Sequence, residues 1–126
     1  MKFLCLAYGS EKDWKALSKG EQDALLAQDE ALRDRGALMA AVELAVTTVT
    51  AWDGTPVTTP EGFARSAAPL AGFAVIEADS VEHAAQLVAD TPCARAKGAI
   101  EIRPIMQIND AQWTAIASRG SRRSPL

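Results

Sequence analysis

The order of the apolar runs along the chain constrains its fold more than any single motif does. A short apolar run at Phe3–Tyr8 precedes an amphipathic segment, two more short runs, a second amphipathic segment and a last run. Short apolar runs bounded by Gly, Pro or Asp indicate strands, whereas apolar residues recurring every three or four positions indicate helices. The order strand, helix, strand, strand, helix, strand is the βαββαβ pattern of a ferredoxin-like α+β domain.

Both predicted helices have recognisable start and stop signals. A capping box of the form S-x-x-E spans Ser18–Glu21, where side chains at both ends satisfy free backbone amides. Gly36 supplies a left-handed residue that ends this helix near Arg35. The second helix is predicted to begin after Asp79 or Ser80, and Pro92 to end it.

A β-hairpin is inserted between the second and third strands of this pattern. The run Val46–Trp52 is rich in β-branched residues, and the Asp53-Gly54 pair after it is a strong tight-turn signal. Val57–Thr59 is predicted to return as the partner strand. The insertion lies between predicted strands at Ala37–Val42 and Gly72–Glu77, and the last strand covers residues 99–103.

The pattern also predicts how the domain assembles. The sheet is antiparallel with both helices on one face, so the other face is left uncovered. An uncovered apolar sheet face on so small a chain must meet something. A second copy is the simplest partner, and we expect a homodimer in which two sheets pack into a barrel.

Length and charge exclude several classes of function. The chain has 126 residues, which corresponds to one domain, and a net charge of −3, which argues against nucleic acid as a partner. No apolar run reaches the length of a membrane span. Acidic residues arrive by Glu11 without a cleavage site, so we predict no signal peptide, no membrane partner and a cytoplasmic location.

The chain carries few residues that bind metals or cofactors. His83 is the single histidine and has no second His or Cys at ligand spacing. Cys5 lies within an apolar run and reads as a core thiol, and Cys93 follows Pro92; we expect them to stay unpaired. Phosphate loops, dinucleotide fingerprints and Ser–His–Asp signatures are absent from the sequence. We therefore expect neither a metal nor a cofactor.

Two stretches carry a resemblance to a known family. The opening Met1–Gly9 and the run Thr59–Arg65, leading into Leu70–Glu77, resemble the YCII-related family, in particular the subgroup named for a D-G-P-F motif. The run that begins at Thr59 aligns without a gap with the corresponding run of the subgroup, although D-G-P-F has become Pro-Glu-Gly-Phe at residues 60–63. The resemblance covers residues 1–106. Residues 107–126 are predicted to form a short C-terminal helix and a flexible basic tail.

The resemblance has implications for fold and chemistry. It implies the same dimeric α+β barrel. Some members of the wider family are thought to use a His–Asp pair, whose positions fall near Leu25 and at Thr91 in this sequence. The first helix contains no histidine, and Leu25 cannot act as an acid or base. That pair is therefore absent here.

Glu43 is the first candidate for chemistry on this chain. It is a lone charge within a long apolar run. Such a carboxylate either lies at a solvent-facing bend or lines a pocket, where burial would raise its pKa. The second alternative makes Glu43 the candidate catalytic acid–base.

Four further polar residues are candidates for ligand binding. Tyr8 ends the first strand and could donate a hydrogen bond into a cleft, or simply pack there. Glu61 could replace the lost carboxylate of the D-G-P-F motif. Arg65 stands where the family usually has an acid, which would favour an anionic ligand, and Arg103 could bind a ligand carboxylate or cap an exposed sheet. Glu61 and Arg65 could equally be solvated loop residues.

Three functional interpretations follow from these residues. The first is a protein that binds a small organic anionic molecule. If this protein is an enzyme, the reaction would be a cofactor-free lyase or isomerase step that uses Glu43. The second is a non-catalytic accessory or regulatory module, of the kind that the D-G-P-F subgroup associates with alternative sigma factors. The third is a structural dimer with a filled core. An open pocket with convergent polar groups distinguishes the first from the third.

Overall fold

The computed structural model describes residues 1–109 and has the βαββαβ order that the sequence predicts. A four-stranded antiparallel sheet has the strand order β2-β5-β1-β6, and a separate two-stranded hairpin, β3-β4, lies between β2 and β5 in the chain. The bounds are β1 Lys2–Tyr8, α1 Glu11–Lys15, α2 Lys19–Asp34, β2 Leu38–Ala41, β3 Thr48–Thr50, β4 Val57–Thr59, β5 Leu70–Glu77, α3 Val81–Val88, α4 Pro92–Arg95 and β6 Ala99–Pro104.

The core lies between the sheet and its helices. Phe3 and Cys5 of β1 face this side with Ile76 of β5, and all three are almost fully buried. Leu32 of α2 and Val88 of α3 close the cluster from above. Side chains on a strand alternate between its two faces, so every second residue of β1 and β5 belongs to this core.

The opposite face of the sheet, here called the open face, is also apolar at its centre. Leu38, Val75 and Leu4 are in register across three neighbouring strands. Val75 is buried, whereas Leu4, Leu38 and the next residue on this face, Leu6, are partly exposed. The prediction of an apolar second face is therefore supported by the register.

The first long helix begins and ends where its sequence signals predict. The Glu21 amide donates to Ser18 Oγ at 3.2 Å, and the Ser18 amide donates to Glu21 Oε1 at 3.0 Å, which completes the capping box. Gly36 has a φ of 92°, in the left-handed region that glycine adopts without steric cost.

Two short helices depart from the predictions. Helix α1 was not predicted, and it forms because Ser10 Oγ accepts a hydrogen bond from the Asp13 amide. Pro92 was predicted to end the second helix, but α3 already ends at Val88 and Pro92 begins α4. A proline fits the first turn of a helix because the amide it lacks has no partner there.

The predicted hairpin is present, with its second strand at the predicted Val57–Thr59 and its first strand shorter than expected. Strand β3 covers three residues, where the sequence predicted Val46–Trp52. Gly54 has a φ of 91°, and its amide donates to the Ala51 carbonyl at 3.0 Å, which forms the predicted turn. The terminal helix and tail predicted beyond Asn109 lie outside the described residues.

Substitution of Leu32 should test the assignment of the core. Leu32 is 4% exposed, and Leu26 on the same helix is 47% exposed. Leu32→Ala should lower the free energy of unfolding by about 2–5 kcal/mol, because it leaves a cavity in the cluster. Urea denaturation followed by circular dichroism measures the change. Leu26→Ala is the matched control and should cost less than about 1 kcal/mol; equal losses in both variants would contradict this core.

Candidate functional site

A pocket of about 190 Å³ opens between α2, the start of α4 and one end of the sheet. Its polar lining comes from Asp29 and Arg33 on α2 and from Thr91 and Cys93 at the start of α4. The remaining lining is mostly apolar. Polar groups that converge on an apolar concavity are typical of small-molecule sites.

The pocket exists because one row of the sheet has almost no side-chain volume. Ala41, Gly72 and Ala7 are in register across β2, β5 and β1, and all three line the pocket. A Cβ at position 72 would collide with the Ala40 carbonyl, so this position requires glycine. The neighbouring row contains Cys5, which contributes to the floor.

Asp29 is the carboxylate of the pocket. It is partly buried on α2, and burial raises its pKa above the ordinary value of 3.8. The guanidinium of Arg33 acts in the opposite direction, and the charge of Glu30 adds to the increase. Arg33 is also paired with Glu30, with 2.5 Å between its Nη1 atom and Oε1. Only part of the positive charge of Arg33 is therefore available to Asp29.

Thr91 and Cys93 face the pocket from the other side. Thr91 is 5% exposed, and its hydroxyl donates to the Val88 carbonyl at 2.6 Å. That hydroxyl can therefore only accept a hydrogen bond from a ligand. Burial raises the pKa of the Cys93 thiol, and the charge of Asp29 raises it further. Cys93 is thus a neutral thiol, which is a weak nucleophile.

Close packing against β1 fixes the position of α4. A Cβ at Gly9 would lie 3.0 Å from Cys93 Sγ, and a Cβ at Gly98 would collide with the Tyr8 carbonyl. Glycines at both positions let the helix approach the strand end closely. The approach brings Thr91 and Cys93 to the pocket.

Three of the predicted site residues lie away from this pocket. Glu43, Glu61 and Arg65 are exposed on the segment that connects β2 to β5, and none of them lines the pocket. Glu43 lies beside a bend at Leu44, which matches the solvent-facing alternative considered above. Their predicted roles in catalysis and ligand binding stay predictions.

The other two predicted residues come together on the open face. The Tyr8 hydroxyl donates to Glu101 Oε1 at 3.1 Å, and an Arg103 Nη2 atom lies 3.6 Å from the same oxygen. The hydrogen bond to Glu101 raises the pKa of Tyr8. The pocket is lined by Cys5 of β1 and Ile100 of β6. Tyr8 and Arg103 are each an odd number of residues away from these on the same strands. Because side chains alternate along a strand, Tyr8 and Arg103 face the side of the sheet away from the pocket.

The family model for the YCII-related domain matches residues 1–109. The chain belongs to the YCII-related family. A search of curated proteins gave no match.

A solved structure also resembles this YCII-related protein. It is the 5-chloro-2-hydroxyhydroquinone dehydrochlorinase from Burkholderia phenoliruptrix AC1100 in complex with 2,5-dihydroxybenzoquinone, at 17% identity and a TM-score of 0.44. The match covers 83% of this chain and 93% of that chain. Neither value is high enough to transfer that enzyme's activity to this protein.

The structure shows how this YCII-related chain departs from the His–Asp pair. Thr91, at the position of the pair's Asp, lines the pocket, whereas the neighbouring Asp90 is exposed and accepts a hydrogen bond from Arg95 at 3.0 Å. Asp29 lies one helical turn after Leu25, the position of the pair's His. Among residues 1–109, the pocket thus has one carboxyl group, and it lies on α2 and not before Pro92.

Sequence reasoning missed Asp29 because it assigned the wrong face of α2. The predicted face was Ala24, Leu25, Gln28, Ala31 and Leu32. The residues of α2 that are at least partly buried are Gln22, Leu25, Asp29 and Leu32. Their spacing of three, four and three is the helical period. The sequence signal that could have identified the site was Asp29, a carboxylate at one of these helically spaced positions.

Residues 1–109 contain both cysteines, which are predicted to stay unpaired. Cys5 and Cys93 are both free, and burial raises the pKa of Cys5 to about 11. That region contains no group of three His, Cys, Asp or Glu residues able to hold a metal ion. Its helices are all too short or too polar to cross a membrane.

Replacement of Asp29 should change how stability depends on pH. Its raised pKa means that the stability it contributes is fully present below about 3.8 and is lost as pH rises through the folded-state pKa. Asp29→Asn removes this loss, so the variant should gain melting temperature relative to the wild type as pH rises from 3 to 7. Thermal melts across that range measure the difference.

Glu43→Gln is the control, because it removes an exposed carboxylate outside the pocket. Its free energy of unfolding should stay within about 0.5 kcal/mol of the wild-type value. An Asp29→Asn variant that instead loses melting temperature relative to the wild type as pH rises from 3 to 7 would show that the Asp29 pKa is lowered.

Proposed function

We propose that this YCII-related protein binds a small organic molecule in the pocket beside Asp29, and that Asp29 exchanges a proton with it. The observation that carries the proposal is a partly buried carboxylate with a raised pKa in a mostly apolar concavity. Carboxylates tuned in this way by burial are typical acid–base groups.

The size of the pocket limits the ligand. Its volume is about 190 Å³, and an apolar cavity of about 150 Å³ in another protein accepts benzene. A single six-membered ring with one or two small substituents therefore fits. Larger ligands would have to extend through the open side.

The polar lining favours a ligand that donates hydrogen bonds. Asp29 in its charged form and the Thr91 hydroxyl both present acceptors, and Arg33 at the rim presents a donor. A hydroxyl group on the ring would satisfy the acceptors. An anionic ligand, as predicted from Arg65, would be repelled by the Asp29 carboxylate, so it would bind this pocket only with its charge next to Arg33.

As an enzyme, such a site is suited to a cofactor-free lyase or isomerase step. The carboxylate of Asp29 would take a proton from a hydroxyl or an activated carbon and return it to another atom of the same molecule. The raised pKa keeps both protonation states accessible closer to neutral pH. Among residues 1–109, the other groups of the pocket with a raised pKa are the thiols of Cys5 and Cys93.

We further propose that the protein is a homodimer built on the open face. Leu4, Leu6 and Leu38 leave apolar surface on that face, and a second copy offers the matching surface. The Tyr8–Glu101–Arg103 contact lies at its edge, where polar groups are expected at an interface. The pocket lies on the other side of the sheet.

A second candidate function is a non-catalytic regulatory module of the D-G-P-F type, as in the members associated with alternative sigma factors. Two departures favour it: the first helix has no histidine, and Thr91 replaces the acid of the pair. In that case the pocket would sense a ligand, and Asp29 would bind it without turnover.

A binding experiment with ring-sized probes tests the first proposal. Amide chemical shifts of the ¹⁵N-labelled protein are followed while phenol, benzyl alcohol, benzoate or toluene is added. The hydroxylated probes should shift the amides of Gly72 and Thr91 and bind more tightly than toluene. Asp29→Asn should weaken that binding about tenfold or more, since a hydrogen bond to a charged group contributes about 1.5–3 kcal/mol.

Two further variants separate the possible sites. Ala7→Leu should abolish binding, because the side chain fills the pocket, and Glu43→Gln should leave the affinity unchanged. Binding that is lost in Glu43→Gln but kept in Asp29→Asn would move the site to the predicted Glu43. The absence of shifts at pocket amides with every probe at millimolar concentration would contradict the proposal.

A further inference from the structure

Within residues 1–109, the connection between β2 and β5 carries most of the exposed large apolar side chains. We call residues 42–69 the arm; it contains the β3–β4 hairpin and the chain on either side of it. Among residues 1–109, twelve large hydrophobic side chains are exposed, and seven of them lie on the arm. These seven are Val42, Leu44, Val46, Val49, Trp52, Val57 and Phe63.

The arm is held at its base. The Val42 amide donates to the Ala71 carbonyl at 2.9 Å, and the Gly9 amide donates to the Pro69 carbonyl at 3.0 Å. Beyond these contacts, β3 and β4 pair with each other and with no strand of the main sheet. The Thr48 hydroxyl donates to the Glu61 carbonyl and ties the hairpin to the returning chain. The arm is therefore a defined structure whose apolar side chains are left uncovered by the rest of residues 1–109.

An uncovered hairpin of this kind is poorly stable by itself. A two-stranded hairpin is marginal in water unless an apolar face is packed against something. Trp52 is 91% exposed and Phe63 is 80% exposed. Side chains this exposed bury little apolar surface within residues 1–109. Both gain free energy only when another surface covers them.

The exposed area matches what one partner contributes to a stable interface. Aromatic side chains bury roughly 150–250 Å² each, so Trp52 and Phe63 together offer a few hundred Å². Five exposed aliphatic side chains bring the arm to roughly the 800 Å² that each partner buries in a standard interface. The largest patch on a typical monomer is only about 300–600 Å².

The charge of the arm decides which partner fits. Its charged residues are Glu43, Asp53, Glu61 and Arg65, and residues 44–52 carry no charge. Nucleic acid and anionic membranes require clustered cations, which the arm lacks. An apolar protein surface is the remaining complement. The homodimer proposed above brings a second copy beside the arm, because the arm leaves the sheet from β2 and β5, two strands that form part of the open face.

We propose that the arm of each copy packs against the body of a second copy and extends the interface between their open faces. The inference rests on the homodimer proposed above and is independent of ligand binding in the pocket. Two arms related by a two-fold axis would together bury roughly 1,600 Å² of their own surface and about as much of the two bodies, which lies in the range of obligate homodimer interfaces.

Sedimentation velocity on the full chain tests the proposal. The wild type should be a dimer at micromolar concentration. The double variant Trp52→Ser/Phe63→Ser should dissociate at least tenfold more readily, because aromatic side chains buried near the centre of an interface carry much of the binding energy. The control variant Leu26→Ser/Val81→Ser removes two exposed apolar side chains outside the arm and should leave dimerisation unchanged. Circular dichroism checks that every variant is folded.

The outcomes separate this inference from the dimer itself. A monomeric wild type would overturn both. A dimeric wild type whose arm variant dimerises equally well would overturn the role of the arm alone. A photo-crosslinking residue at position 52 provides a second readout, with a covalent dimer as the expected product. Crosslinks only within one chain would show that the arm folds over its own body and would contradict the proposal.

Discussion

The antiparallel pairing of β1 with β5 is the constraint on which the rest of the structure depends. Because side chains alternate along each strand, the register that joins Cys5 to Ala74 also joins Leu6 to Phe73. It directs Cys5 and Ala7 towards the helices and Leu6 and Tyr8 towards the open face. A shift by one residue would exchange the two sets. The pocket and the open face are thus two results of one register.

The site combines an unfilled row of the sheet with a carboxylate on the helix above it. Ala41, Gly72 and Ala7 leave the space, and the stripe of α2 that faces the sheet brings Asp29 to it. A carboxylate at such a place costs folding free energy when it is ionised. Proteins keep such a cost mainly where the group has a function. The shape and polarity of the pocket therefore support a small-molecule site.

Much of the fold could be predicted from the sequence, whereas the site could not. The capping box at Ser18 and the Asp53-Gly54 turn depend on local chemistry, and both are present as predicted. Tyr8 and Arg103 were correctly placed on strands, but their face depends on the register, which pairs residues far apart in the chain. Glu43 stood out by its apolar neighbours, whereas the arm that contains it is exposed. Asp29 could be assigned to the site only once the structure showed which residues of α2 are buried.

A ¹³C NMR titration of the Asp29 side-chain carboxyl tests the central claim most directly. The resonance, assigned by its loss in Asp29→Asn, should titrate with a pKa clearly above the ordinary 3.8, since burial penalises the charged form. It should also shift when a hydroxylated ring probe binds. A carboxyl that titrates at or below 3.8 and does not respond to such probes would contradict the account of this pocket.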